Sequence, residues 1–268
     1  MLYSRDAFIL RFISFFKRKF IWEIHIPSKH HYKRLMINSV RMIVITQYVK
    51  NLLLRRGTDG NRIFVAPDAV DMNLFDIAID SKTAKTRVRL PLDKKIVLYA
   101  GQLFKWKGVN TLLDASIFMK DDTRIVIVGG TQDDISEMRK YIRENKLKNI
   151  IMVGQKKHQD IPYYLKSADV LVLPNTGKEE VSNYYTSPMK LFEYMASRRP
   201  IVASKIPSLT EVLDDSMAIF VKPDDPKSLA WGIQYALEND VKSKIESAYS
   251  QVRKFTWEKR AVKILENL

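Results

Sequence analysis

YYTSPMKLFEYMASRRPIVAS, residues Tyr184 to Ser204, sets a helix N-terminus, a carboxylate and an apolar strand in succession. Ser187 is a candidate helix cap and Pro188 fits a first helical turn, which leaves the amides of Met189 and Lys190 free to face an anion. Glu193 follows about one and a half turns later. Helix side chains lean toward the N-terminus, so its carboxylate reaches back to the same mouth, where it can accept hydrogen bonds from hydroxyls. The helix ends near Arg198-Arg199-Pro200, and Ile201 to Ala203 reads as a buried parallel strand. A nucleoside diphosphate suits this order of groups, with phosphates on the amides and ribose on Glu193. An ordinary crossover helix with a serine cap fits it equally well.

Outward from this stretch, short apolar runs alternate with helix-length segments. The runs predict strands at Ile21 to His25, Met42 to Thr46, Ile63 to Ala66, Ile96 to Ala100, Arg124 to Val128, Ile150 to Val153, Val170 to Leu173, Ile201 to Ala203 and Ala218 to Val221. Helices are expected at Val109 to Phe118, Asp133 to Asn145, Ile161 to Ser167, Pro188 to Ser197, Pro207 to Leu213 and Pro226 to Glu238. Strands apolar on both faces belong to parallel sheets covered by helices, so the expected class is doubly wound α/β. The polar segment Asp71 to Pro91 reads as a boundary without periodicity. It divides an incomplete leading region of three strands, residues 1–75, from a complete one, residues 76–254.

The charge is uneven. Lys and Arg number 45 against 30 Asp and Glu, a net +15, and the first 60 residues hold roughly +9 of it. Such a field favours an acidic membrane surface, a phosphorylated small molecule or nucleic acid, and is also compatible with a plain solvated basic face. Nucleic acid ranks last, since no zinc-finger spacing, RNP-type aromatic motif or basic zipper occurs. The chain has no cysteine, which excludes disulfides and thiolate metal sites and fits a cytoplasmic setting. Met1 to Phe20 is interrupted by Arg5, Asp6 and Arg11, and reads as an amphipathic helix instead of a signal peptide or span.

Three successive strands finish in glycine, at Gly101, at Gly129-Gly130 and at Gly154, on what a parallel sheet makes a single rim. Ligands of open α/β sheets bind at that rim. Lys107 follows the first glycine closely and supplies a point charge for phosphate, with Lys105 as a second candidate.

Together these motifs resemble the nucleotide-sugar-dependent glycosyltransferases of the GT-B fold, specifically the large retaining family four. They stand here as VAPDAVDMNLF (Val65 to Phe75), LYAGQLFKWKGVNTLLDA (Leu98 to Ala115), IVIVGG (Ile125 to Gly130), ADVLVLP (Ala168 to Pro174), TSPMKLFEYMASRRPIVAS (Thr186 to Ser204) and LTEVL (Leu209 to Leu213). The resemblance implies a Rossmann-like donor domain over residues 76–254. In it Gly101, Gln102, Lys107, Gly130, Ser187, Pro188, Met189 and Lys190 surround the diphosphate, Glu193 meets the ribose, and Gly154 and Gln155 lie near the base. It also assigns IWEIHIP (Ile21 to Pro27) to the partial acceptor domain and makes His25 the group facing the transferred sugar, beside Lys107 and Glu193 in the catalytic set. A buried strand-end histidine of no special role is the alternative for His25. His30 and His31 read as surface residues of the next helix. Residues 255–268 are expected to form a helix packing back on the leading domain, with Trp257 as its anchor.

Three departures qualify the resemblance. Gln102 stands where many members have arginine, Tyr185 stands where the first of the paired glutamates belongs, and the opening strands of the acceptor domain are missing. The implied reaction is transfer of a hexose from a nucleoside-diphosphate sugar to a glycan or lipid-linked acceptor, with retention and without metal. A separately encoded N-terminal piece and peripheral contact with the inner face of the cell membrane are the other expected partners. The rival reading is an inactive nucleotide-sugar-binding protein.

Overall fold

The computed structural model describes residues 2–16, 18–26 and 32–267. Two parallel sheets follow one another along the chain, as the two-sided apolar runs require. The first is built from β1 (Leu2–Ser4), α1 (Ala7–Phe15), β2 (Phe20–Ile24), α2 (Tyr32–Asn38), β3 (Ser39–Val44), α3 (Gln47–Arg55) and β4 (Ile63–Val65), with the strands in order β1-β2-β3-β4.

Its leading strand corrects the sequence reading, which gave three strands and one helix up to Phe20. Asp6 caps α1 by accepting the amides of Phe8 and Ile9, so the helix cannot start earlier, and Leu2–Ser4 pairs with β2 instead. Three residues are too short to show a strand period.

The second sheet follows α4 (Met72–Phe75) and α5 (Ser81–Arg87). It contains β5 (Lys95–Ala100), α6 (Val109–Ala115), β6 (Thr123–Val128), α7 (Gln132–Glu144), β7 (Ile150–Gly154), α8 (Ile161–Ser167) and β8 (Val170–Leu173). Then come α9 (Glu180–Tyr184), α10 (Met189–Ala196), β9 (Ile201–Ser204), α11 (Pro207–Thr210), β10 (Ile219–Val221), α12 (Pro226–Glu238), α13 (Lys242–Val252) and α14 (Trp257–Glu266). The strand order is β10-β9-β8-β5-β6-β7, so the winding reverses between β5 and β8.

The supposed boundary segment also differs from expectation. Asp80 caps α5 through the Thr83 amide, and α5 buries Ala84 and Lys85, whose ammonium bonds Asp169 at 2.9 Å. A seven-residue helix that buries only two neighbouring positions leaves no periodic signal. At the junction, Val70 pairs with Thr256 in an isolated parallel bridge, so the outgoing and returning strands of chain lie side by side.

The last helix, α14, returns to the first sheet, where Ile264 packs with Ile21, Ile43 and Ala66. Trp257 is not its anchor, being 40 % exposed. Arg260 holds the helix instead: its guanidinium donates to the carbonyls of Ala66 and Pro67 and to Glu23 Oε1 at 2.8 Å.

Candidate functional site

A cleft of about 460 Å³ opens where the carboxyl rim of the second sheet, at its switch point, faces the end of β2 and the segment after β4. It gathers His25, Gly101, Gln102, Lys107, Ser187, Pro188, Met189, Lys190 and Glu193. Gly130, Gly154 and Gln155 do not line it, and Lys105 lines a separate depression with Asp134 and Glu137. His30 and His31 lie outside the described residues.

The rim depends on close backbone packing. Gly101 donates to Val128 O at 2.8 Å and Gly129 to Gly154 O at 2.8 Å, while a Cβ on Gly129 would stand 2.2 Å from Gly101 O. A Cβ on Gly101 itself would stand 2.6 Å from Lys190 Nζ, so this glycine makes room for an ammonium group.

The helix mouth is arranged differently from the capped form expected. Pro188, with φ −76 and ψ 116, occupies the cap position of α10 in an extended conformation, and no side chain caps the helix. Ser187 lies one residue further out, where its Oγ accepts the Asp68 amide at 3.0 Å and ties the two halves of the chain together. The first turn of α10 is therefore left without a side-chain cap, and its residues Met189 and Lys190 line the cleft.

Both lysines are buried, each 8 % exposed, and among the described residues neither is paired with a carboxylate within 4 Å. Lys107 Nζ lies 3.7 Å over the Trp106 ring, and burial lowers its pKa to about 8. Lys190 Nζ donates to the Tyr99 hydroxyl at 2.5 Å. Burial, and then the charge of Lys107, push it well below the ordinary lysine value. Glu193 Oε1 lies 3.2 Å from His158 Nε2, and burial raises its pKa against the opposing pull of that imidazole.

On the opposite wall His25 Nε2 meets Glu23 Oε1 at 2.7 Å. Burial works against the Glu23 carboxylate, but hydrogen bonds with His25, the Tyr3 hydroxyl and Arg260 outweigh it and hold its pKa at about 2. Glu23 therefore orients the imidazole from a strand position two residues away, on the same face.

Asp68, Trp106 and His158 also line the cleft, and sequence reasoning missed all three as site residues. Asp68 sits in the quoted VAPDAVDMNLF motif, and His158 in the loop after Gly154, so both segments were visible although the roles of these side chains were not. Trp106 and His158 come from loops of the second sheet, and the approach of the two sheets adds Asp68.

With this geometry in view, a family model for glycosyl transferases group 1 matches residues 80–254. The chain belongs to that family. A D-inositol 3-phosphate glycosyltransferase of Xylanimonas cellulosilytica is 26 % identical over 231 residues, covering 81 % of this chain and 53 % of that protein. The chain spans about half the length of the curated relatives it matches. Among solved structures, Anabaena HepE in complex with UDP superposes with a TM-score of 0.83 at 18 % identity, over 98 % of this chain and 77 % of that one. Sucrose-phosphate synthase from Thermosynechococcus elongatus superposes with a TM-score of 0.75 at 23 % identity, over 92 % and 66 %. The fold is that of the GT-B glycosyltransferases, with the six-stranded unit as its Rossmann-like half. Among the described residues no helix is long and apolar enough to cross a membrane, and no group of three or more His, Asp or Glu could hold a metal ion.

Proposed function

We propose that this chain binds a nucleoside-diphosphate sugar in the cleft between its two sheets and takes part in transferring the hexose to a glycan or lipid-linked acceptor. The observation that carries the reading is the pair of buried lysines at an open helix mouth. Keeping two cations out of water without carboxylate partners is costly, and a diphosphate placed between them offsets that cost. The same charges would stabilise the leaving diphosphate as the glycosidic bond breaks. Glu193, one and a half turns into α10, is the ribose acceptor, and His25, held by Glu23, faces the sugar. Retention at the sugar carbon comes with the family resemblance. HepE, a protein of like fold, has been solved with UDP and with UDP-glucose, which makes uridine nucleotides the first probes.

Calorimetry tests the reading. Lys107→Ala should weaken UDP binding by about 1–3 kcal/mol and leave uridine almost unchanged. Lys107 in the free protein loses its proton near pH 8. A bound diphosphate favours the protonated form, so UDP affinity should fall as pH rises above about 8. Equal loss of UDP and uridine, or no loss of either, contradicts the assignment.

A further inference from the structure

The absence of a glutamate at Tyr185 leaves the sugar half of the cleft without the carboxylate that the resemblance implies. Tyr185 does not substitute for it, because its side chain packs against the apolar cluster of the first sheet. Another carboxylate does enter the cleft. Asp68, just after β4, is 8 % exposed and lines the same space as His25, Lys107 and Lys190.

Among the described residues no hydrogen bond or ion pair reaches the Asp68 carboxylate; its backbone amide alone is engaged, by Ser187 Oγ at 3.0 Å. Burial raises its pKa, with His25 and Arg260 opposing. Its oxygens open onto the cleft and, among the described residues, no protein donor meets them, so they are free to accept hydrogen bonds from a group bound there. The position limits what that group can be. Ser187 stands at the mouth of α10, where the diphosphate is proposed to lie, and His25 stands on the far wall. What lies between a distal phosphate and His25 is the sugar attached to that phosphate, a group rich in hydroxyl donors.

We infer that Asp68 accepts hydrogen bonds from hydroxyls of the sugar half of the donor, a role supplied here from the first sheet instead of from the segment before α10. The inference rests on the nucleotide-sugar reading above. It makes the sugar subsite a product of both halves of the chain, whereas the diphosphate subsite belongs to the second alone.

The test compares Asp68→Asn with the unaltered protein in binding UDP and UDP-glucose, and GDP and GDP-mannose, using whichever pair the unaltered protein takes more tightly. The substitution keeps the shape and one acceptor but loses the charge. The sugar nucleotide should weaken about tenfold while the free diphosphate stays within about twofold, as expected for loss of a charge-assisted hydrogen bond made only to the sugar. The unliganded variant should melt at the same or a higher temperature, because a costly buried charge has been removed. Unchanged binding of the sugar nucleotide, equal weakening of both ligands, or a lowered melting temperature with both ligands lost would each overturn the role. If the unaltered protein binds no diphosphate at all, the broader reading falls and this one with it. Intact diphosphate binding with an indifferent Asp68→Asn variant removes only the present inference.

Discussion

The two sheets are made from the same parallel βα units, yet only the second carries a large apolar cluster on each face. Its strands β5, β6 and β8 lie between two apolar clusters, one holding Leu98, Val126, Leu171 and Phe192, the other Val97, Ile127, Val172 and Leu229. The first sheet has one substantial cluster, around Phe20, Trp22, Met42 and Leu53, and a small one under α14. Its leading helix buries Leu10 and Ser14, while Phe8, Phe12, Phe15 and Phe16 are each more than half exposed. The difference teaches that apolar cover is divided unequally: the second sheet is covered by its own helices, whereas the first leans more on its contacts with the rest of the chain.

Several of those contacts are hydrogen bonds between named groups. Glu211 of the LTEVL motif accepts the amides of Gln47 and Tyr48 at the start of α3, Thr46 Oγ1 donates to Tyr184 O, and Arg260 meets Glu23. The comparison predicts, as its largest effect, that limited proteolysis cuts first within residues before Asp80. A resistant fragment should remain that keeps α5, because the Lys85 to Asp169 bond ties this helix to the second sheet. Early cleavage within residues 95–221 would reverse the ranking of the two halves.

A smaller effect should follow from breaking the tie to α14. Arg260 and Glu23 have side chains only 11 % and 10 % exposed, and removing one partner of a buried pair costs about 3–5 kcal/mol. Arg260→Ala should therefore lower stability by an amount near this, with the loss seen in hydrogen exchange of β2 and β3 and little change in β5 to β8. Acid should act at the same place. The folded pKa of Glu23, about 2, lies below its ordinary value of 4.5. Its stabilisation is thus present above about pH 4.5 and is lost as pH falls toward 2. A circular-dichroism acid titration of the unaltered protein should show a transition in that window that Glu23→Gln diminishes.

The smallest effect concerns selectivity. Glu193→Gln keeps the shape of the side chain, so it should lower affinity for UDP more than for its 2′-deoxy analogue, by about 1 kcal/mol. Equal weakening of the two would mean that Glu193 orders the helix mouth through His158 instead.

Much of this arrangement was legible in the sequence, for reasons that differ between its parts. Strands buried on both faces, such as Ile96 to Ala100 and Val170 to Leu173, announce themselves as unbroken apolar runs, and their order with the intervening helices gives the doubly wound class. The short strand Leu2–Ser4 and the helix Ser81–Arg87 bury too few residues to leave a period. Site residues divide the same way. Lys107 and Glu193 stand beside a strand end and a helix start, so local structure places them, whereas Lys190 was legible for its amide and not for the ammonium that lies against Gly101 and Tyr99. His158 reaches the cleft through packing of two loops of the second sheet, Asp68 through packing of the two halves, and Ser187 changes role from cap to acceptor because the Asp68 amide arrives there. No local pattern encodes such meetings.

Hydrogen exchange of the whole chain, with and without saturating UDP, tests the central claim most directly. Binding at the proposed cleft predicts slowed exchange in residues 100–108 and 187–193, with residues 2–16 unchanged. Protection confined to the first sheet, or none in these two segments while UDP is demonstrably bound, would place the nucleotide elsewhere and contradict the account.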